Sequence, residues 1–341
     1  MRCLTIARRF AVGTVAVAGF LALTVVASQA EPTKIRMGWV ATPASLVPLL
    51  FAHEGVAKHN GLSYTVEAIH FQGSPLQITA IQSGDLDIAA LGFSSFSLAV
   101  ENAGLTDLKI IADETQWGVP GYGDALFAVL KDGSIHKVED LKGKVLVTNG
   151  IGGGLDMIMK AMMLKHGMID KRDFSVIEVN FSNMKSVLLE KKADLVPFVL
   201  PWSRDPEFKD NSRILFSTND SMGRVALSFW TARQGFLDKN RAAMLDLLED
   251  YVRIIHWYHD PANHAEAVKI VADFMKLPPA AIEGWVFTKD DYFRDPSGLA
   301  PIDAVTSNVH TQMELGLIKA DLDARQHDGL SLIKEAAARI K

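Results

Sequence analysis

Short apolar runs alternate with stretches of helical periodicity along the first two thirds of the chain. Runs of this kind, bounded by turn residues, predict strands. The predicted strands are Lys34–Val40, Ser63–Ala68, Ile88–Leu91, Leu108–Ala112, Ala125–Leu130, Val145–Val147, Val176–Val179 and Leu195–Val199. Because predicted helices separate most of them, the pattern predicts an α/β fold, with a parallel sheet and helices on both faces.

The stretch Phe71–Ala103 holds two turns in which glycine is followed by hydroxyl residues, and each turn opens a predicted helix. Ser74 is the expected N-cap of the first helix, with Pro75 at the first helical position, and Ser94 or Ser95 is the expected N-cap of the second. A helix start presents unpaired N–H groups and a positive dipole end, so it can hold an anion. From local chemistry alone, ordinary capping in an α/β sheet is the simpler interpretation.

The glycine-rich loop Trp117–Gly123 breaks the repetition and predicts a hinge. We expect residues 121–224 to form a second lobe. The first lobe would comprise residues 31–120 and 225–341, with Ala226–Thr231 as a strand that returns to it. The remainder is predicted to be helical, with a long amphipathic helix capped by Asp238 and further helices at His264–Met275, Pro279–Trp285 and Ile302–Leu315.

Residues 1–30 have the layout of a secretory signal peptide. Three arginines precede the apolar run Phe10–Ala27, and Ser28–Ala30 supplies small residues for cleavage. We therefore expect cleavage after Ala30 and export to a bacterial periplasm, with an uncleaved membrane anchor as the alternative. No second apolar span of about 20 residues follows in the sequence.

Composition narrows the chemistry of the exported chain. Cys3 is the single cysteine and lies in the signal segment, so a disulfide, a thiolate nucleophile and a cysteine metal site are excluded. Without the three arginines of residues 1–30, 32 basic residues stand against 40 acidic ones, a net charge of −8. This acidic balance argues against nucleic acid as a partner.

The glycine run Gly150–Gly154 lies between a predicted strand and a predicted helix, where a nucleotide-binding loop would lie. It fails the dinucleotide pattern, which needs a glycine where Leu155 stands, and it fails the P-loop pattern, which needs a lysine. We interpret it as a bare helix N-terminus whose backbone lets a small ligand approach closely.

The remaining motifs assemble into no catalytic set. His256, His259 and His264 cluster in the sequence, but no acidic partner stands at ligand spacing, so they are interpreted as surface residues rather than metal ligands. Asp85 and Asp87 are explained by turn chemistry. Neither a Gly-x-Ser-x-Gly nor a His-Glu-x-x-His motif occurs. We therefore expect no enzyme activity, no metal and no cofactor.

Aromatic residues mark many turns and strand ends. They are Trp39, Phe93, Trp117, Tyr122, Trp202 and Phe229. In open α/β sheets, ligands bind beyond the carboxyl ends of strands, where flat side chains can form a pocket wall. For each of these residues, a place in the core is the alternative.

Four segments carry a resemblance to a known family: Ile35–Gly38, Gly84–Ala89, Asp140–Lys144, and Lys192–Leu195 with the following Pro201-Trp202. By these segments, residues 34–240 resemble the periplasmic solute-binding proteins of ABC importers, in the family with sulfonate-, taurine-, nitrate- and thiamine-precursor-binding members. The resemblance implies a two-lobed periplasmic-binding-protein fold of type II, with the ligand in a cleft between the lobes. Thiamine-precursor synthases of this fold group need a cysteine-rich iron motif, which the exported chain lacks.

The resemblance implies that loops at the strand ends line the cleft, and two arginines near the second-lobe rim can add charge. The expected ligand-binding residues are Trp39, Thr42, Gly73, Ser74, Phe93, Ser94, Ser95, Tyr122, Gly152, Gly153, Trp202, Arg204, Arg224 and Phe229. Gly150–Gly154 departs from the family pattern, because related proteins carry a hydroxyl or amide side chain in that loop.

We therefore expect a monomeric periplasmic binding protein that captures a small organic anion of the sulfonate or aromatic carboxylate type. It would deliver this ligand to an ABC permease in the inner membrane through a transient contact. A neutral or cationic heterocycle, such as a thiamine precursor, is the alternative ligand. A ligand-sensing subunit that contacts a receptor is the alternative role.

Overall fold

The computed structural model describes residues 31–40 and 44–340, which adopt a mixed α/β architecture. Thr42 and the predicted signal peptide lie outside the described residues. In chain order, the strands are β1 (Thr33–Trp39), β2 (Tyr64–His70), β3 (Ile88–Leu91), β4 (Leu108–Trp117), β5 (Leu126–Leu130), β6 (Val145–Thr148), β7 (Ser175–Glu178), β8 (Val196–Phe198), β9 (Ser212–Ser217) and β10 (Val225–Arg233).

The first sheet has the strand order β2-β1-β3-β10-β4. β1 pairs in parallel with β2 and β3, whereas β10 lies antiparallel between β3 and β4. The strand predicted at Ala226–Thr231 therefore returns to the first sheet, but the sheet is mixed rather than parallel. β4 also continues beyond its predicted end at Ala112, because the polar residues that follow are buried inside the fold.

The second group of strands has the same spatial pattern as the first sheet, with a parallel pair on one side and antiparallel pairs on the other. β5 pairs antiparallel with β8 and β9, and β6 pairs in parallel with β7. A bridge between Leu146 and Leu195 joins the two sets, so the order becomes β7-β6-β8-β5-β9. The described residues from Pro32 onward form one compact unit, and the lobe boundaries at residues 120 and 224 stay a prediction.

Two aspartates play the same part in the two sheets. Asp87 precedes β3, and its Oδ2 accepts the N–H of Arg36 on β1 at 2.9 Å, while its Oδ1 lies 2.6 Å from the Arg36 guanidinium. Asp194 precedes β8, and its Oδ2 accepts the N–H of Val145 on β6 at 3.0 Å. Each carboxylate thus ties the start of its own strand to a neighbouring strand, β1 for Asp87 and β6 for Asp194. Turn chemistry alone does not predict this role for Asp87.

The helices, in chain order, are α1 (Val47–Ala52), α2 (Ser74–Ser83), α3 (Phe93–Glu101), α4 (Gly154–Lys165), α5 (Phe181–Leu189), α6 (Pro206–Asn211), α7 (Thr218–Met222), α8 (Gln234–Lys239), α9 (Arg241–His259), α10 (His264–Met275), α11 (Ile302–Glu314) and α12 (Ser331–Arg339). Asp238 lies inside α8, so it does not cap α9, whose N-cap is Asn240. Of the helix predicted at Pro279–Trp285, a 3₁₀ turn at Pro279–Ala281 forms. No helix among the described residues is long and apolar enough to cross a membrane.

The two crossovers between the strand groups touch at a pair of glycines. Gly118 follows β4 with a φ of +72°, and Gly223 precedes β10 with a φ of +68°. A Cβ atom at Gly118 would lie 2.0 Å from the Gly223 carbonyl oxygen, so the approach requires glycine. Asn308 of α11 holds the second crossover, since it accepts the Ala226 N–H and donates to the Arg224 carbonyl, both at 3.1 Å. The contact lies at the predicted hinge loop.

Candidate ligand-binding site

The start of α3 is buried and has no side-chain cap. Its N-cap is Gly92, so Ser94 and Ser95 stand in the first helical turn and do not cap the helix, contrary to prediction. The two serines are 3% and 4% exposed. The first intrahelical bond runs from the Phe96 N–H to the Gly92 carbonyl, which leaves the N–H groups of Phe93, Ser94 and Ser95 without helical partners. No acidic residue stands in this turn to oppose the positive end of the helix dipole.

α2 also begins at a glycine N-cap. Gly73 is that cap and Ser74 is the first helical residue, so the predicted cap is one position too late. Gln77 fixes α2 to the first sheet, because its amide exchanges hydrogen bonds of 2.8 and 3.0 Å with the backbone of Ala90. A Cβ atom at Gly38 would lie 2.1 Å from Gln77 Oε1. The sequence prediction missed Gln77, for which a glycine inside β1 was the single local signal.

The glycine loop before α4 is less bare than predicted. Gly153 is the N-cap, and Gly152 adopts a φ of +84°. Asp156 in the first turn accepts the Gly152 N–H at 2.8 Å, and Glu178 accepts the Ile151 N–H at 2.7 Å. Two carboxylates therefore already occupy N–H groups of this loop, and they reduce its attraction for an anion.

The starts of α3 and α4 meet at one residue. The parallel strands β1 and β3 bring Trp39 and the α3 start to one sheet edge, and β6 and β8 bring the α4 start and Trp202 to an edge of the other group. α3 contacts α4, and Leu227 of β10 approaches the first residues of both helices. A Cβ atom at Gly92 would lie 2.5 Å from the Leu227 carbonyl oxygen, and one at Gly154 would lie 3.5 Å from Leu227 Cδ1.

Two aromatic pairs stand at these strand ends. Trp39 packs on His70 with ring centroids 4.4 Å apart, and Trp202 stacks on Phe181 at 4.8 Å with an interplanar angle of 16°. Trp202 keeps 38% of its surface exposed, which leaves one face for an apolar ligand group. The sequence prediction missed both partners: His70 is the last residue of β2, and Phe181 is the first residue of α5 after β7.

Arg204 points toward the C-terminal part of the chain. Its guanidinium lies 3.0 Å from the Asp290 carboxylate. With Trp202 and Trp285, it lines an open groove of about 530 Å³. A second open cavity, of about 490 Å³, lies between α4 and α11 and includes Lys165 and Glu314. Neither cavity includes a residue from the α3 start.

Tyr122 and Arg224 come together through Phe293. Tyr122 packs edge-on against the Phe293 ring at 5.0 Å, and the Arg224 guanidinium lies over that ring at 5.6 Å. Arg224 Nε also donates to Gln116 Oε1 at 2.5 Å. These contacts put both residues beside the crossovers, with Arg224 exposed to solvent.

Two predicted wall residues belong to the core instead. Phe93 and Phe229 are both 0% exposed, and Phe229 packs edge-on against Phe96 at 5.7 Å. Both side chains are therefore closed off from solvent and do not form an exposed pocket wall. A position at a strand end predicts a place in a pocket wall, but whether the side chain faces the core or the cleft follows from the three-dimensional packing.

β4 carries a buried polar row that the sequence prediction missed. Asp113 and Glu114 are each 1% exposed. Glu114 accepts hydrogen bonds from Ser228 Oγ at 2.5 Å and Trp230 Nε1 at 3.2 Å. Burial raises the pKa of both carboxyl groups, that of Asp113 to about 7. The local signal for this row was the run of polar residues after the apolar part of β4, but such a run is equally typical of a loop.

One group of side chains has metal-ligand chemistry. The donor atoms of His59, Asp246 and Glu249 lie within 4.8 Å of one another. Arg253 is paired with Glu249, and Arg339 lies 3.5 Å from Asp246. Because two guanidinium groups already neutralise these carboxylates, the arrangement is better described as an ion-pair network than as a metal centre.

Comparison with known proteins extends this description. A model of the NMT1-like family matches residues 28–272, well over half of the chain. The putative binding protein YtlA of Bacillus subtilis is 26% identical over 272 residues, which are 77% of this chain and 78% of YtlA.

Two solved structures share the fold. The periplasmic aliphatic sulphonate binding protein SsuA from Escherichia coli gives a TM-score of 0.69 at 17% identity, over 87% of this chain and 92% of SsuA. The desulfurization enzyme DszB gives a TM-score of 0.62 at 14% identity, over 91% of this chain and 100% of DszB. The predicted periplasmic-binding-protein fold is confirmed. Because the same fold carries both binding and catalysis, the fold alone does not decide the function.

Proposed function

The chain belongs to the NMT1-like family, and on that premise we propose that it is the substrate-binding component of an ABC-type importer. Its ligand is a small organic anion of the sulfonate or aromatic carboxylate type, held where α3 and α4 begin. The names of YtlA, a putative binding protein, and SsuA, which binds aliphatic sulphonates, support this assignment.

The start of α3 is the observation that carries the proposal. Buried N–H groups are normally paired, yet those of Phe93, Ser94 and Ser95 have no partner within the helix and no side-chain cap. The hydroxyls of the two serines form no hydrogen bond with other described residues. Backbone and hydroxyl donors at a positive helix end suit an anionic group. Trp39 and Trp202 would then contact the apolar part of the ligand.

A specific observation favours a second candidate, a ligand that donates N–H groups. Asp156 at the start of α4 is 0% exposed. Its Oδ2 accepts from Lys160 Nζ at 2.8 Å, whereas its Oδ1 has no hydrogen-bond partner among the described residues. An amidine, an ammonium or an aminopyrimidine group could satisfy that oxygen. This is the chemistry of the heterocycle alternative.

The proposed setting is the periplasm. Cleavage after Ala30 would release the chain beyond the inner membrane, where it would act as a monomer and meet the permease transiently. A sensing role would leave the ligand site unchanged and replace the permease by a receptor. Neighbouring permease and ATPase genes would favour import, and a neighbouring kinase gene would favour sensing.

A thermal-shift screen followed by calorimetry tests the proposed ligand class. The panel contains alkanesulfonates, aromatic carboxylates, nitrate and pyrimidines. We expect an organic anion to raise the melting temperature and to be recovered chemically unchanged. Ser94→Ala and Ser95→Ala should each weaken its binding by roughly ten- to a hundredfold, the effect of losing a hydrogen bond to a charged group. Ser331→Ala, at the exposed start of α12, is the matched control.

Three outcomes would contradict the proposal. Stabilisation by a pyrimidine and by no anion would favour the second candidate. Unchanged affinity in both serine variants would move the site away from α3. Catalytic conversion of the ligand would make the protein an enzyme.

A further inference from the structure

Leu227 stands at a bulge in β10. The register with β4 passes from Ala226 to Ser228 and omits Leu227, so the strand carries an extra residue there. Such a bulge aims a side chain away from the regular alternation of the sheet. The Leu227 backbone closely approaches Gly92 at the start of α3, and its Cδ1 approaches Gly154 at the start of α4. Leu227 therefore lies close to the starts of both helices, with its backbone carbonyl at α3 and its apolar side chain at α4.

We propose that Leu227 is the specificity-determining residue of the cleft and that it makes the site select an organic anion over an inorganic one. This inference rests on the proposed function, because it concerns the same site. It goes further in assigning the selection to one residue and in fixing how the ligand lies between the two helices.

The orientation of the ligand follows from charge. The first turn of α3 holds no acidic residue, whereas the first turn of α4 holds Asp156. An anionic head is therefore better stabilised at α3 than midway between the helices. The part of the ligand that points toward α4 then lies against Leu227.

The selection follows from hydration. Nitrate and sulfate carry oxygen atoms on all sides, and the oxygens that face Leu227 would lose water without gaining a hydrogen bond. An alkanesulfonate or benzoate can direct its oxygens to the α3 start and its carbon atoms to Leu227, where contact with an apolar side chain is favourable. A leucine at this position therefore lowers the affinity for inorganic ions and not that for organic ones.

Calorimetry with 1-propanesulfonate, benzoate, nitrate and sulfate tests the inference. Wild type should prefer the better organic anion over nitrate and sulfate by at least tenfold. Leu227→Asn keeps nearly the same shape but adds hydrogen-bonding groups, and it should narrow that preference by at least tenfold. Leu227→Met should retain it. Leu215→Asn, a half-buried leucine of β9, is the control and should leave the preference unchanged. The ratio of affinities is the readout because partial unfolding lowers all affinities together.

The outcomes separate the two proposals. If wild type binds an organic anion but Leu227→Asn leaves the preference unchanged, the inference is wrong and the proposed function stands. If wild type binds nitrate as tightly as the organic anions, the inference is also wrong. If wild type binds none of the four anions, the proposed function fails and the inference fails with it. Should Leu227→Asn not fold, Leu227→Ala replaces it, and an unchanged preference there overturns the inference equally.

Discussion

Replacing Asp113 by asparagine tests how the fold accommodates a buried carboxyl group beside the crossovers. The side chain is 1% exposed. Its Oδ2 accepts the Asp295 N–H at 3.1 Å, and its Oδ1 has no hydrogen-bond partner among the described residues. Burial raises the pKa of this carboxyl group from 3.8 to about 7, although the hydrogen bond from the Asp295 N–H and the Arg224 charge act in the opposite direction.

The magnitude follows from linkage between protonation and folding. The rise of this pKa from 3.8 to about 7 in the folded state corresponds to about 4 kcal/mol. Because the pKa is higher in the native state, the contribution of Asp113 to stability is fully present below about pH 4 and is lost as the pH rises to about 7. Asparagine cannot ionise and keeps an acceptor for the Asp295 N–H. Asp113→Asn should therefore raise the free energy of unfolding by about 2–4 kcal/mol at pH 8 and change it little at pH 4.

Urea denaturation at pH 4, 6 and 8, followed by tryptophan fluorescence, measures this difference. Comparing variant and wild type at each pH removes the contributions of other titrating groups. Asp132→Asn, at an exposed aspartate in the loop after β5, is the control for the same substitution at a solvated position. The reasoning is refuted if the effect of Asp113→Asn is the same at all three pH values, or if the variant is less stable than wild type at pH 8.

Three further predictions concern the crossovers, a buried histidine and the aromatic pair. Gly118→Ala should lower the free energy of unfolding by about 3 kcal/mol or more, because its Cβ would lie 2.0 Å from Gly223 O at a φ of +72°. Gly84→Ala is the control, since it has a φ of +79° and nothing within 4 Å, and it should lower the free energy of unfolding by about 1–2 kcal/mol. Equal losses for the two variants in urea denaturation would contradict this prediction. Burial lowers the pKa of His327, so on acidification the unfolded chain binds a proton more readily than the native state does. The free energy of unfolding should therefore fall as the pH drops below about 6.5. Urea denaturation at pH 7.5 and 5 should show that this free energy falls less in His327→Gln than in wild type. Trp202→Ala should weaken ligand binding by up to about tenfold in calorimetry through the lost apolar face, whereas Phe274→Ala, which removes another exposed aromatic, should not, and the reverse order would count against a cleft at Trp202.

Local patterns predicted most of the strands, but they missed β9. α10 begins and ends at the predicted residues, and β3 has the predicted bounds, because hydrophobic period and turn residues are local properties. β4 was predicted too short, since nothing local distinguishes its buried polar residues from a loop. Their burial depends on α9 and on the segment around Arg294, which are distant in the sequence.

The two helix starts of the proposed site were predicted from the sequence, but their N-caps were not. The helix starts after β3 and β6 were identified correctly, but the caps were assigned to serines because serine is a good N-cap in isolation. In the structure, the Leu227 carbonyl comes so close to Gly92 that only glycine fits there. Neither this approach nor the contact of Leu227 with α4 has a signature in the local sequence, because both depend on the bulge between β10 and β4.

Crystallography with 2-bromoethanesulfonate locates the two ends of the ligand separately, because bromine and sulfur can be located by anomalous scattering. We predict that the sulfonate oxygens lie about 3 Å from the N–H groups of Phe93, Ser94 and Ser95. The carbon chain should lie against Leu227. A bound sulfonate that instead occupies the groove between Trp202 and Trp285, with the α3 start unoccupied, would contradict this prediction.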